Sequence, residues 1–206
     1  DEPAEQVAQY VSNLVTPIDL ALVCDAIGRY YVDADGIEAL AAIETNNHGL
    51  STQDHLQKHL GYSHFYVWEY LDAASNESTY SRKIGWQTNT RTRPMLLSAF
   101  HAAITATDPI TGKPDLVLNS PVTRGELRHF VIPPKPFMTL ADAQHANGQH
   151  DDAIFAAAIG FYVAYRLSGG EMEPIAERRR RKEAALAHVA HGEATAGLDY
   201  RNTEHT

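Results

Sequence analysis

Three carboxylates stand where a folded chain could use them for chemistry. Asp151 and Asp152 come where a polar loop turns into a strongly apolar helical stretch, and Glu44 ends the apolar run 37–44. An aspartate at a helix start often caps the helix, and the helix dipole stabilises its charge. The same placement suits a divalent-metal ligand, so capping and metal binding are both open interpretations of the aspartate pair.

A shared metal ion would let the two regions act together. More than a hundred residues separate Glu44 from Asp152, so only the fold can bring them close. Carboxylates gathered without a cation raise one another's pKa, whereas Mg²⁺ or Mn²⁺ prefers their oxygens and leaves positions for water and phosphate. Two such ions about 4 Å apart can activate water and stabilise the leaving oxygen of a phosphodiester.

Basic residues form a second set of candidates. The formal net charge of −9 argues against a general polyanion binder. Lys83, Arg91 and Arg93 nevertheless lie close in sequence and predict a local DNA-binding track. The run 178–182 consists of arginine and lysine, for which a solvated helix face and a DNA or protein contact are both open.

Composition indicates one globular domain with an appendage. The 206 residues are 44% hydrophobic, enough for one core. We expect a domain over residues 1–168 and a basic helix with a tail over 169–206. The single cysteine, Cys24, cannot form an internal disulfide, and no stretch is apolar enough to span a bilayer. We therefore expect a soluble protein of a reducing, intracellular compartment.

Strand and helix patterns alternate, which predicts a mixed α/β sheet flanked by helices. Thr16 and Asp19 mark the clearest helix start, as N-cap and capping-box residue. The run 37–44 suits a buried central strand with Glu44 at its carboxyl end, where open α/β sheets bind ligands. The other expected strands are 5–12, 64–71, 83–88 and 115–119, and the other helices begin near residues 51, 94, 121 and 152. Residues 72–81 are expected to form an exposed hairpin or flap.

Four short motifs occur in order along this pattern: Ile43-Glu44-Thr45-Asn46 with Gly49, Gly85-Trp86 with Thr92-Arg93-Pro94, Gly125-Glu126-Leu127, and Gly148 with His150-Asp151-Asp152. Together they resemble the C-terminal nuclease domain of the large terminase subunit of tailed bacteriophages. The likeness spans about residues 5–167. It implies a ribonuclease H-like fold and a two-metal endonuclease that cuts concatemeric viral DNA at the start and end of packaging.

The resemblance implies roles for the matched positions. Glu44 and Asp152 are expected to be catalytic metal ligands, with Asp151 as a cap or second contributor. The implied cofactor is two Mg²⁺ or Mn²⁺ ions. Asn46 and Gly49 are expected to shape the loop behind Glu44.

The remaining implications concern Arg93, the third motif and the partners. Arg93 is expected to contact a DNA phosphate or to start a helix. For the third motif we favour a structural interpretation, with Leu127 in the core and Glu126 in a surface or structural ion pair. The implied partners are double-stranded viral DNA, an ATPase motor domain on the same chain, the small terminase subunit and the portal, with no membrane. The implied location is the host cytoplasm, transiently on the procapsid.

One position of the family pattern has no counterpart. The family's first metal ligand is an aspartate on the opening strand, but Asp1 lacks an apolar strand around it and Asp25 falls within the first predicted helix. Either the sequence starts after this strand, or residues are absent from it, or the variant is impaired. We hypothesise that the strand lies upstream of residue 1, because the first predicted strand resembles the family's second strand. The residues present contain no Gly-rich phosphate loop, so they are not expected to form an ATPase.

Two other functions stay open. The chain could be a non-catalytic module that clamps DNA or docks onto the portal, or another ribonuclease H-like enzyme such as a resolvase or recombinase. His48 and His150 flank the acidic residues and could act as a ligand or proton shuttle, or lie there by coincidence among 11 histidines. Trp68 and Trp86 are expected in the core rather than as base-stacking platforms.

Overall fold

The computed structural model describes residues 3–71, 80–105, 107, 112–132, 138–139, 142–145 and 150–167. Within these residues the chain is a mixed α/β protein with five helices, which confirms the predicted class. The helices are α1 (Pro17–Tyr30), α2 (Gly49–Lys58), α3 (Thr92–Thr105), α4 (Pro121–His129) and α5 (Asp152–Leu167). The strands are β1 (Ala4–Glu5), β2 (Val67–Leu71), β3 (Tyr80–Ile84), β4 (Leu116–Val117), β5 (Phe130–Val131) and β6 (Gln144–His145).

α1 starts where the sequence predicts, because the capping box that marks its start involves residues close together in the chain. The Asp19 amide donates to Thr16 Oγ1 at 3.2 Å, and the Thr16 amide donates to Asp19 Oδ2 at 3.1 Å. This reciprocal pair supplies partners to two amides that would otherwise be unpaired at the helix start. α4 starts in a similar way, since the Ser120 side chain accepts from the amides of Val122 and Thr123.

The strands form three two-stranded sheets among the described residues, rather than one continuous mixed sheet. β1 and β4 pair in parallel, with Ala4 opposite Leu116. β2 and β3 form an antiparallel hairpin, with Val67 opposite Ile84. β5 and β6 form a second antiparallel pair.

The predicted strand 5–12 is wrong beyond its first residue. β1 ends at Glu5, and the side chains of Gln6 and Gln9 then donate to Thr123 Oγ1 at 3.2 and 2.9 Å. After β1, these side-chain contacts with α4 fix the position of the segment, and no β-ladder among the described residues does. They join residues more than a hundred positions apart, so no local pattern signals them.

The predicted central strand 37–44 is also corrected. It contributes three isolated bridges: Glu38 pairs with Val32, Ala41 with Phe65 and Glu44 with Trp86. Because the segment changes partner every few residues, it does not form a regular strand; Ile37 is exposed and residues 38–44 are half-buried.

The main core lies between α3 and α5. It includes Trp86, which is fully buried as expected, together with Leu96, Phe100, Ile154 and Tyr162. A smaller cluster lies between α1 and α2 and consists of Ala21, Leu56, Tyr62 and Phe65. Among the described residues, no helix combines the length and apolar character needed to cross a membrane. The predicted basic helix and tail at 169–206 lie outside the described residues. Of the predicted hairpin or flap 72–81, residues 72–79 also lie outside them, and residues 80–81 belong to β3.

Candidate functional site

Glu44 is positioned by its pairing with a buried tryptophan. The Trp86 amide donates to the Ile43 carbonyl at 2.7 Å, and the Thr45 amide donates to the Trp86 carbonyl at 2.7 Å. Glu44 lies between these two bonds, in a parallel bridge with Trp86, and is half-buried. Since the Trp86 side chain is 0% exposed, Glu44 is fixed to a rigid part of the core.

Asn46 orients the Glu44 carboxylate. Its Nδ2 donates to Glu44 Oε1 at 3.2 Å and to the Thr88 carbonyl at 2.9 Å. One amide group therefore connects the acidic side chain to the loop that precedes α3. An acceptor oxygen held in this way keeps its carboxylate in one orientation.

Gly49 allows the chain to turn tightly behind Glu44. A Cβ atom at Gly49 would lie 1.7 Å from the Glu44 carbonyl oxygen, so no larger residue fits without moving backbone. α2 starts at Gly49, two residues before the predicted start, and His48 occupies the N-cap position without a side-chain cap bond. The helix begins early because the tight turn brings Gly49 into contact with the Glu44 backbone.

The two aspartates at the start of α5 have different environments. Asp151 is half-buried, and its carbonyl accepts from the Phe155 amide at 3.0 Å. The Asp152 side chain is 87% exposed, and its Oδ2 lies 3.7 Å from His150 Nδ1. The capping position therefore belongs to Asp151, while Asp152 projects into solvent from the first helical turn.

A third carboxylate, Glu126, lies at this helix start, where the sequence predicted a surface or structural ion pair for it. Glu126 Oε2, from α4, accepts from the Ile154 amide at 3.1 Å. This bond supplies a partner to one of the unpaired amides of α5 and places negative charge at the positive end of its dipole. Only the packing of α4 against α5 creates the contact, because 28 positions separate the two residues.

Arg93 ties α3 to the start of α5. Its guanidinium carbon lies 4.6 Å from the centre of the Phe155 ring, and one of its nitrogens donates to the Ala143 carbonyl at 2.7 Å. The pKa of Asp142 is lowered, chiefly by the Thr139 backbone hydrogen bond and to a smaller extent by the Arg93 charge. The half-buried Arg93 therefore has a structural role in addition to any contact with a phosphate.

The segment 88–93 contacts both elements that carry the predicted acidic residues. The Thr88 carbonyl accepts from Asn46, which also bonds to Glu44, and Arg93, in the first turn of α3, packs against Phe155 of α5. In the part of the chain that the structure describes, no group of three or more histidine, cysteine or acidic side chains is arranged to hold a metal ion. Glu44, Asp151 and Asp152 therefore do not form a preassembled three-ligand cluster.

The other two basic candidates are exposed. Lys83 lies on β3 opposite Trp68. Arg91 lies just before α3, where its backbone amide donates to Asn89 Oδ1 at 2.9 Å. Both residues are exposed to solvent.

Comparison with known protein families and with curated proteins finds no relative of this chain. No model of a protein family matches the chain, and no curated protein matches it either. The likeness to terminase nuclease domains therefore depends on the four sequence motifs.

Proposed function

We propose that this chain is a ribonuclease H-like, metal-dependent DNA endonuclease similar to the nuclease domain of phage large terminase subunits. The observation that supports it most is the Glu44 carboxylate, which Asn46 orients at the end of a segment paired in parallel with Trp86. Carboxylates that bind metal ions are themselves held by hydrogen bonds, and the Asn46 amide supplies such a bond to Glu44. The substrate would be concatemeric double-stranded viral DNA.

The residues present fit a hard divalent ion in part. Mg²⁺ keeps several waters and binds through one or two carboxylates together with substrate phosphates. Glu44 and the half-buried Asp151 would hold it, and the highly exposed Asp152 would complete the site when DNA is bound. Two Mg²⁺ or Mn²⁺ ions at such a site would supply an activated water and stabilise the leaving oxygen.

The chain's own groups would orient the acidic residues and the DNA. Asn46 limits the Glu44 side chain to one orientation, and Glu126 anchors the helix that carries the aspartates. Lys83 and Arg91 would contact phosphates, an interaction that depends on salt and not on base sequence. In a packaging motor the chain would act beside an ATPase domain, the small terminase subunit and the portal, in the host cytoplasm.

Plasmid cleavage with purified variants tests the proposal. Glu44→Gln and Asp151→Asn are expected to lose Mn²⁺-dependent nicking by at least a hundredfold, and Asp152→Asn by about tenfold or more, because each removes a charge needed at the metal. Asp54→Asn is the matched control, since Asp54 pairs with Lys58 on the outer surface of α2. All four variants should unfold cooperatively.

Other outcomes distinguish the alternatives. Salt-sensitive DNA binding without cleavage in any divalent ion would reject the nuclease and favour a DNA-clamping or portal-docking module. Cleavage restricted to branched DNA would favour a resolvase. Nicking by Glu44→Gln at the wild-type rate would remove the proposed role of Glu44.

A further inference from the structure

A cleft between the base of the β2–β3 hairpin, the start of α3 and the end of α5 is not used by the acidic residues. It encloses about 350 Å³, which lies within the size range of small-ligand sites. Its lining includes Tyr66, Trp68, Tyr162, Arg91 and Arg166. Aromatic rings and guanidinium groups therefore share one concave surface.

Aromatic residues form a rigid floor. Tyr66 and Trp68 are two positions apart on an extended segment, so they lie on the same face. The Trp68 ring meets the Trp86 ring edge-to-face at 5.0 Å, and Trp86 meets Tyr162 at 5.1 Å. Trp86 and Tyr162 are buried, whereas Tyr66 and Trp68 are half-buried and border the cleft. The expectation that Trp68 is a core residue is therefore only partly right.

The rim is positively charged. Arg91 and Arg166 are exposed, and neither forms a salt bridge with a described carboxylate. The acidic residue of the lining, Glu69, is already paired with Arg82 at 2.8 Å. Burial raises the pKa of Tyr66, and the Arg166 charge opposes that rise, which agrees with a guanidinium close to the aromatic floor.

We propose that this cleft binds an unpaired nucleotide of a single strand, with its base against Tyr66 and Trp68 and its phosphate against Arg91 and Arg166. A nucleotide combines a flat π-face with an adjacent anion, and proteins that bind single strands use this combination of aromatic and basic side chains. Like the proposed nuclease, this site would bind nucleic acid. Its binding needs no metal ion and no cleavage. Trp86 connects the two regions, because its backbone pairs with Glu44 and its ring supports Trp68.

Tryptophan fluorescence gives a direct assay. The chain has two tryptophans; Trp86 is 0% exposed and Trp68 borders the cleft. Titration of the whole chain in EDTA with oligothymidylate of about twelve nucleotides, a length within the usual range for such sites, should quench the emission in a saturable manner. Trp68→Phe should abolish this quenching, and Trp68→Leu should weaken binding, measured by anisotropy of labelled oligothymidylate, by about tenfold.

Charge variants provide an independent test that does not touch the core. The double variant Arg91→Gln/Arg166→Gln should weaken oligothymidylate binding at least tenfold and reduce the slope of log affinity against log salt by about 1 to 1.5. The matched control, Arg124→Gln/Arg128→Gln, changes net charge equally on two exposed arginines of α4 and should bind as wild type. An abasic strand of equal length should bind at least tenfold more weakly to the wild-type chain, because it offers no base to stack.

Any of three results would contradict the proposed nucleotide site. The first is equal affinity for the abasic strand and oligothymidylate, and the second is equal affinity for duplex DNA and oligothymidylate. The third is wild-type binding by both Trp68→Leu and the Arg91/Arg166 double variant. Comparison with oligouridylate tells whether the cleft prefers DNA or RNA, and saturable binding of either supports it. Every titration is done in EDTA, so these binding tests remain valid even if the nuclease proposal fails. Conversely, normal plasmid nicking without single-strand binding would reject the proposal for the cleft and leave the nuclease proposal intact.

Discussion

Replacing Gly49 with alanine should damage both the fold and the acidic site. The new Cβ would lie 1.7 Å from the Glu44 carbonyl oxygen and 2.8 Å from the Glu44 carbonyl carbon. Both contacts are with backbone, so no side-chain rotation relieves them. Either the start of α2 or the Glu44 segment must move by more than about 1 Å to restore van der Waals contact.

The cost follows from the contacts that this movement disturbs. Overpacking a close site costs about 1–3 kcal/mol, and weakening the Asn46 hydrogen bonds to Glu44 and Thr88 adds roughly 1 kcal/mol. Alanine has less backbone entropy than glycine in the unfolded chain, and this difference offsets about 0.4–1 kcal/mol of the lost stability. We expect a net loss of about 1–3.5 kcal/mol, or a drop in Tm of about 2–14 °C for a chain of this size.

Gly160→Ala is the matched control. Gly160 lies within α5, and an alanine Cβ at this position would have open space within 4 Å, so alanine there should stabilise the helix by about 0.5–1 kcal/mol. Urea unfolding followed by far-UV circular dichroism measures both variants. A Gly49→Ala chain within about 0.5 kcal/mol of wild type, the usual range for neutral surface changes, would refute the tight-turn argument.

Three further predictions concern the elements around the site. Glu126→Ala should lower the free energy of unfolding by about 1 kcal/mol, since it removes the carboxylate that caps α5; an unchanged urea midpoint would contradict this. Arg93→Ala should cost about 2 kcal/mol through loss of its ring contact and carbonyl hydrogen bond, whereas the exposed Arg91→Ala should change stability by less than about 0.5 kcal/mol; equal urea midpoints for the two would show that Arg93 is not a structural tie. The pKa of Glu38 is lowered, first by the Ser63 backbone hydrogen bond, so its stabilising effect is complete above the ordinary glutamate pKa of about 4.3 and is lost as pH falls through the lower folded value. Wild type should accordingly lose more stability on acidification than Glu38→Gln, and parallel curves of urea midpoint against pH would disprove it.

Local signals account for the parts of the fold that the sequence predicts. The Thr16 and Asp19 capping box lies within four residues, and the start of α1 follows from it. The apolar run after Asp152 likewise predicts α5 through Leu167. Such signals suffice because the interacting groups are neighbours along the chain.

Contacts between distant segments account for most of what the sequence does not predict. The side chains of Gln6 and Gln9 bond to Thr123 beyond the end of β1, and Glu126 bonds to the start of α5. Glu44 is held by a bridge to Trp86 rather than by a regular strand. Each of these features depends on which surfaces meet in the folded chain, and hydrophobic periodicity carries no information about that choice.

Anomalous scattering from crystals soaked in Mn²⁺, with a DNA duplex bound, tests most directly whether Glu44 shares a cation with the aspartates of α5. We predict a peak bonded to a Glu44 oxygen and to a carboxylate oxygen of Asp151 or Asp152, absent from Glu44→Gln crystals grown and soaked in the same way. A Glu44 carboxylate without manganese while DNA occupies the protein would contradict the proposed metal-dependent chemistry.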